Sequence, residues 1–320
     1  MEIDSFYTAK RRRRVKLIFN PAAGEAKAAP VELTEVVSAM QAWKLMPEVF
    51  LLEPESDLAG MVQEALAHGI RLFVACGGDG TISAVAKAIE GQPATLGIIP
   101  AGTQNNIARS LGIPWDVPSA AAVLRSGRRI KADMGSVLCG GTQTSFIELC
   151  SVGLVSSVFA FADDIQHGHL EKIGDFLAAL VSCAPSELRL ELEDGQKIIE
   201  KGHAVIVANM PYICRHYQVG APGAFKDGLL DVLLFAEVSK LNLIGHAVKG
   251  TNFNDLNDPR LQHFHVRALD ITTVPPMPVM ADGTALGEGS VHIEVKHRTL
   301  AMMVPPVQKP QLQTQETPEG

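Results

Sequence analysis

The sequence predicts an α/β protein in two parts: an N-terminal half built on a parallel sheet and a following half rich in antiparallel β-structure. Three observations carry this expectation. Short apolar runs alternate with helical segments between residues 15 and 111, the rhythm of a parallel sheet covered on both faces. The first, third and fourth runs each close on a turn containing glycine. Beyond about residue 130 come short alternating segments separated by turn signals such as Gly140-Gly141 and Asp194-Gly195, the pattern of an antiparallel domain.

Val15 to Phe19 reads as a buried strand ending at Asn20-Pro21, and residues 30 to 44 have apolar positions at helical spacing. Val49 to Leu52 reads as a second strand. Asp57 is placed to cap a helix running to Ala67, with His68-Gly69 as its stop. Leu72 to Ala75 is a third strand, Ile82 to Ile89 a helix, Leu96 to Ile99 a fourth strand, and Asn105 to Leu111 a helix. Strands are then expected at Phe146 to Ser151, Leu188 to Glu193, Ala204 to Ala208, Leu230 to Phe235, Phe264 to Leu269 and Val291 to Val295, with one helix at Gly174 to Cys183. From Pro305 onward Pro, Gln, Thr and Glu dominate, so 305–320 reads as a disordered tail.

The 320 residues suffice for two domains, with 47% hydrophobic and 20% charged residues. Aromatics at 5% and a net charge of −7 argue against nucleic acid as the partner. The exception is the basic run of Lys10 and Arg11 to Arg14, which reads either as a solvated flank or as a contact for anionic lipid headgroups. Cys76, Cys139, Cys150, Cys183 and Cys214 are odd in number and show no CxxC pair, which fits free thiols and a cytoplasmic setting. With no signal peptide and no apolar span in view, membrane contact is expected to be peripheral.

The chemistry concentrates in turns. Gly77-Gly78-Asp79-Gly80-Thr81 follows a strand and opens a helix, so glycine backbone and free helical N–H groups can approach a phosphate. Asp79 beside an anion site implies Mg²⁺ or a hydroxyl partner. Pro100-Ala101-Gly102-Thr103-Gln104-Asn105 and Asn20-Pro21-Ala22-Ala23-Gly24 close two more strands. All three turns fall at carboxyl ends of expected parallel strands, where open α/β sheets bind ligands, and together they point to one polyanionic nucleotide. The dinucleotide fingerprint, the P-loop and the G-x-S-x-G elbow are absent. Asp282-Gly283 and Asp227-Gly228 could each be a simple turn. His167 and His169, near Asp163, Asp164 and Glu171, read as a solvated loop, and His263 and His265 share one face of a strand.

These turns resemble the diacylglycerol kinase catalytic family, which includes sphingosine and ceramide kinases and bacterial lipid kinases. The N-P-x-x-G turn at Asn20 to Gly24, G-G-D-G-T at Gly77 to Thr81, and P-x-G-T-x-N at Pro100 to Asn105 with Leu111-Gly112-Ile113-Pro114 match its markers in order and spacing. Ala221-Pro222-Gly223-Ala224, Asp227-Gly228-Leu229-Leu230-Asp231 and Asp282-Gly283 resemble its later segments. The resemblance implies a phosphofructokinase-like α/β domain over 14–132, a β-sandwich lipid domain over 133–296, and a return to the first domain at 297–304, after a basic N-terminus at 1–13. It implies ATP and Mg²⁺, a lipid substrate, and phosphorylation of a lipid hydroxyl, diacylglycerol-like or sphingoid-like. Nucleotide-binding roles fall on Asn20, Pro21, Gly24, Gly77, Gly78, Asp79, Gly80, Thr81, Gly102, Thr103 and Asn105. Metal binding falls on Asp227, Leu229 and Ala224, and the general base on Asp282.

Departures accompany the match. Thr284 replaces the usual Glu of Asp-Gly-Glu, leaving Asp282 alone or Glu288 as substitute; Asn106 replaces Asp; Glu148 replaces Asn; Arg215-His216-Tyr217 replaces a glycine-rich stretch expected to meet the lipid. Two other functions stay open at this point: a soluble-substrate kinase of the NAD kinase type, and a catalytically impaired nucleotide sensor. Homodimerisation is left open.

Overall fold

The computed structural model describes residues 12–24, 30–154, 185–213, 217–236 and 261–306. In the N-terminal half β1 (Arg13–Phe19), β2 (Leu45–Leu51), β3 (Leu72–Gly77) and β4 (Thr95–Pro100) pair in parallel in the order β2-β1-β3-β4. Every residue of β3 and β4 is buried, as expected of strands with helices on both faces. The helices are α1 (Leu33–Ala42), α2 (Leu58–Ala67), α3 (Asp79–Ile89), α4 (Asn106–Ser110) and α5 (Val117–Ser126). Asp57 caps α2 by accepting from the Gly60 amide at 2.8 Å. The chain leaves β1 towards β2 on one side and returns to β3 on the other. The β1/β3 gap is therefore the topological switch point of the sheet, where ligands bind beyond the strand ends.

The second half contains β5 (Arg128–Cys139), β6 (Thr142–Phe146), β7 (Leu149–Gly153), β8 (Ser186–Leu192), β9 (Lys197–Ala208), β10 (Tyr212–Ile213), β11 (Tyr217–Gln218) and β12 (Leu230–Ala236). It continues with β13 (Leu261–Val266), β14 (Ala268–Val274), β15 (Pro278–Ala281), β16 (Thr284–Glu288) and β17 (Val291–Val304). The pairing within this half is antiparallel. Inward-facing residues including Phe146, Val152, Val207, Val232 and Ile293 form its own core.

Strand β17 joins the two halves. Val291 to Lys296 pairs with Cys139 to Met134; after an irregularity between Lys296 and Leu300, Leu300 to Val304 pairs with Ala132 to Arg128. Met302 there lies parallel to Leu96 of β4, and Leu300, Met302, Met303 and Val304 pack in the N-terminal core. A polar clasp reinforces the seam: Lys296 Nζ reaches Glu90 at 3.1 Å and Ser145 Oγ at 2.9 Å, and the Ser145 hydroxyl donates to Glu90 at 2.6 Å.

Several expected elements change. Phe146 to Ser151 is not one strand: β6 ends at Phe146 and β7 begins at Leu149, because the amides of residues 147 to 149 turn to a carboxylate described below. Phe264 to Leu269 likewise divides into β13 and β14 around Arg267. Helix α5 was not expected, although Asp116 caps it by accepting from the Ser119 amide at 2.8 Å and proline occupies its first turn. The expected helix at Gly174 to Cys183, the segment of His167 and His169, and residues 307–320 lie outside the described residues. Among the described residues no helix is long and apolar enough to cross a membrane.

One packing pair offers a direct check on the β half. Gly135 stands opposite Phe146, and a Cβ at Gly135 would lie 2.0 to 2.4 Å from the Phe146 ring. Gly135→Ala is expected to destabilise by about 1–3 kcal/mol through overpacking, and Phe146→Ala by about 3–5 kcal/mol through the cavity it leaves. In urea unfolding the double variant should lose clearly less than the sum, since the new methyl enters the vacated space.

Candidate functional site

The three turns recognised in the sequence meet at the switch point. Asn20 leaves β1 held by its amide on the Cys76 carbonyl at 3.0 Å. Its Oδ1 accepts from the Ala22 amide, and its Nδ2 donates across the gap to Thr81 Oγ1 at 2.9 Å. Pro21 is exposed and Gly24, at φ 76°, ends this turn. Helix α3 starts at Asp79 with Gly78 as its cap residue and no side-chain cap, so its first amides and the positive end of its dipole are left for a ligand. The Gly77–Gly80 turn touches the Gly102 turn backbone to backbone: a Cβ on Gly102 would lie 2.3 Å from the Gly78 Cα.

Asp79 points sideways into that second turn. Its carboxylate accepts from the Asn106 and Ile107 amides, each at 3.0 Å, so it caps α4 from another element. Thr103 and Gln104 stay partly exposed on the turn. Asn105 adopts a left-handed conformation, donates to the Gly102 carbonyl at 2.7 Å, and is fully buried. Its Oδ1 has no hydrogen-bond partner among the described residues, a state that a donor from a ligand would relieve.

From the other half comes Asp282. Asp282-Gly283 is the two-residue tip of the β15–β16 hairpin, with φ 44° and 79° and Ala281 paired to Thr284, the left-handed pair such tight hairpins need. It is thus a hairpin turn whose carboxylate also reaches the N-terminal half. Its carboxylate accepts from the Ile147, Glu148 and Leu149 amides at 2.7, 2.9 and 3.1 Å, and from the Ser83 hydroxyl of α3 at 2.5 Å. Four bonds fill the roughly four acceptor positions of a carboxylate.

The amide bond from Glu148 to Asp282 brings a third acid in. Glu148 Oε1 accepts from Asn106 Nδ2 at 2.8 Å. Burial pushes the Glu148 carboxyl well above its ordinary 4.5, and the charges of Asp79 and Asp282 add to that. Burial also raises Asp79, with Asp282 adding, against the backbone amides of residues 105 to 107 that pull it down. Three carboxylates gathered in one partly buried cleft call for a cation or a shared proton.

Asp227, Leu229 and Ala224 form a separate centre. Asp227 is exposed; its side chain accepts from the Leu229 amide at 3.0 Å, and its own amide donates to the Ala224 carbonyl at 3.1 Å. Partial burial and the charges of Asp231 and Asp133 raise its carboxyl. Fully buried Asp133 braces this loop, accepting from the Gly228 amide at 2.7 Å and, at the bend of β17, from the Arg298 amide at 2.7 Å and His297 Nδ1 at 2.9 Å.

Thr284 is exposed on β16, and Glu288 lies at the far end of that strand opposite Pro278, four residues or roughly 13 Å away. Glu288 therefore does not take the place of the missing Glu. Sequence reasoning missed Ser83 and Asp133. The one signal for Asp133 is a lone acid in an otherwise apolar stretch of β5. At the expected lipid face, Arg109 stacks on Tyr212 at 4.6 Å and the Tyr212 amide donates to Ser110, so α4 supports the β10–β11 hairpin. Arg215 and His216 lie outside the described residues.

A family profile described as the diacylglycerol kinase catalytic domain matches residues 14–137, and one described as the YegS C-terminal NAD kinase beta sandwich-like domain matches residues 150–304. The chain belongs to the diacylglycerol kinase catalytic domain family. Its fold class is that family's: an α/β domain with a parallel sheet followed by a β-sandwich. Similar proteins include a diacylglycerol kinase of Staphylococcus carnosus, 22% identical and covering 87% of this chain and 90% of the relative. A probable lipid kinase YegS of Escherichia coli is 27% identical over 79% of this chain and 84% of its own. The crystal structure of a diacylglycerol kinase from Bacillus anthracis superposes with a TM-score of 0.69 at 20% identity, covering 93% of this chain and 98% of that one.

The raised Glu148 carboxyl makes stability depend on pH in a set direction. The folded chain holds this proton more tightly than the unfolded one. The stabilisation is therefore fully present below the ordinary value of 4.5 and is lost as pH rises through the raised folded value. Glu148→Gln keeps an acceptor for Asn106 without the charge. Its urea midpoint should exceed that of the natural chain at about pH 8, with the advantage shrinking towards about pH 4.5.

Proposed function

We propose that the chain transfers the terminal phosphoryl group of ATP to a hydroxyl of a diacylglycerol-like or sphingoid-like lipid. The observation that carries this reading is the meeting of the Asn20, Gly78 and Gly102 turns at the sheet's switch point, with Asp282 closing over them from the β half. In this reading residues 14–132 hold the nucleotide and residues 133–296 the lipid. The enzyme works at a membrane surface as a peripheral protein, because its substrate resides there.

The phosphates lie against the open amides at the start of α3 and the Gly102–Thr103 turn, where the helix dipole favours negative charge. The close Gly78–Gly102 contact and the unpartnered Asn105 oxygen fit such a ligand. Asp79 would hold the Mg²⁺ of the nucleotide, and that ion would supply charge neutralisation for the triphosphate. The exposed Asp227 carboxylate with the Ala224 and Leu229 carbonyls is an all-oxygen donor set that suits a second Mg²⁺, one that steadies the loop braced by Asp133.

The lipid hydroxyl must lose a proton. We assign this to Asp282 and Glu148 as one unit. Asp282, saturated by four donors, holds the turn. Glu148, with a raised proton affinity and an Oε1 held by Asn106, takes the proton.

Radiolabelled phosphate should pass from ATP to lipids presented in mixed micelles and not to NAD. Asp79→Asn should lower kcat/KM by about 10²-fold or more, and Glu148→Gln should lower kcat by about 10²–10⁴-fold while folding normally. Phosphorylation of NAD with no lipid product, nucleotide binding without turnover, or full activity in both variants would overturn the proposal.

A further inference from the structure

Away from the cleft, Asp231, His263 and His265 form a second cluster of metal-ligating side chains. His263 and His265 alternate along β13, so both rings stand on one face of the strand. Asp231 sits on the neighbouring strand β12, directly opposite His265. The Nε2 atoms of His263 and His265 lie 2.8 and 3.1 Å from the same oxygen, Asp231 Oδ1. The two rings are 4.6 Å apart and tilted by 36°, and the three ligand atoms all lie within 4.8 Å of one another.

The burial of the three groups is graded. The Asp231 side chain is 5% exposed, while those of His263 and His265 are 34% and 57% exposed. The carboxylate is also fixed from behind, since a Cβ at Gly220 would lie 2.5 Å from its Oδ2. Asp231 alternates with Leu233 and Phe235, which pack into a small second core on that face of β12, while Leu230, Val232 and Leu234 pack into the main β core on the other. β13 pairs only with β12 among the described residues. The rings therefore stand on an edge strand with solvent in front of them and a rigid carboxylate beneath.

We propose that Asp231, His263 and His265 bind a first-row divalent cation of the Zn²⁺ class. Two imidazoles and one carboxylate are the donors such ions take, with a water in the fourth position. The donor set is unlike the oxygen-only Asp227 loop, and nitrogen ligands disfavour Mg²⁺. Bonds of about 2.0–2.1 Å in a tetrahedron place ligand atoms about 3.3 Å apart. The shared contacts of 2.8 and 3.1 Å need to open by only a few tenths of an ångström. Each ring then presents a bare Nε2 and keeps its proton on Nδ1. The ion ties the edge strand β13 to β12 and, through Asp231 and Gly220, to the segment that follows the β10–β11 hairpin.

The test uses the full chain without a histidine tag, dialysed against micromolar Zn²⁺ and analysed for bound metal. About one ion per chain is expected in the natural protein. The same is expected in Asp227→Asn, which separates this site from the oxygen-donor loop. The ion should be lost in the His263→Ala, His265→Ala double variant. Zn²⁺ should raise the thermal midpoint of the natural chain and leave that of the double variant unchanged. Loss of both rings also removes the Asp231 partners and is expected to lower the metal-free midpoint of the double variant, so an unchanged far-ultraviolet circular dichroism spectrum serves as the folding control. Co²⁺ should give the visible absorption of a nitrogen-ligated tetrahedral ion in the natural chain only. Retention of the metal by the double variant, or a natural chain that binds none, would overturn the site.

Discussion

The carboxylate of Asp282 is the constraint on which the two-part arrangement turns. It sits at the tip of a hairpin in the β half, yet its four hydrogen bonds gather the Ile147–Leu149 turn and reach Ser83 on helix α3 of the N-terminal half. Without that anchor the β6–β7 break has three amides with no acceptor, and an unmet buried amide costs about 1–3 kcal/mol. The same anchor aims the Glu148 side chain at Asn106 and hence towards Asp79. One residue thus adds a second tie between the halves beside the β17 seam and brings three acids into one cleft.

That cleft is built against its own electrostatics. Asp79 and Glu148 both hold protons more tightly than an exposed carboxyl would, because burial and neighbouring negative charge act in the same direction. Sites of this kind gain when a cation or a transferred proton arrives, which is the sense in which stability is given up for chemistry. Asp133 plays the opposite part. It is fully buried but satisfied by three donors, so it braces β5, the Asp227 loop and the bend of β17 together.

Much of the α/β half was legible because each strand there is a continuous apolar run and each functional turn follows one directly. The positions of Asn20, Asp79 and Gly102 could be read from spacing alone. Helix α5 escaped since its small alanines and serine give little periodic signal; only Asp116 and the following proline marked it. The β half was read less well. Residues 146 to 151 look like one strand, and the break at Ile147-Glu148 is imposed by Asp282 more than a hundred positions later. Ser83 and Asp133 act through partners distant in sequence, so local pattern shows at most that Asp133 is a lone acid in a buried strand and not what it braces. The departure at Glu148 was visible, but its meaning depends on the neighbouring carboxylates that folding supplies.

The central claim is that separate turns close on a single triphosphate. Hydrogen–deuterium exchange, followed with and without a non-hydrolysable ATP analogue and Mg²⁺, addresses it most directly. The account predicts that residues 20–24, 77–83 and 102–107 gain protection together, at one analogue concentration. Protection confined to one of these turns, or spread over none of them, would contradict it.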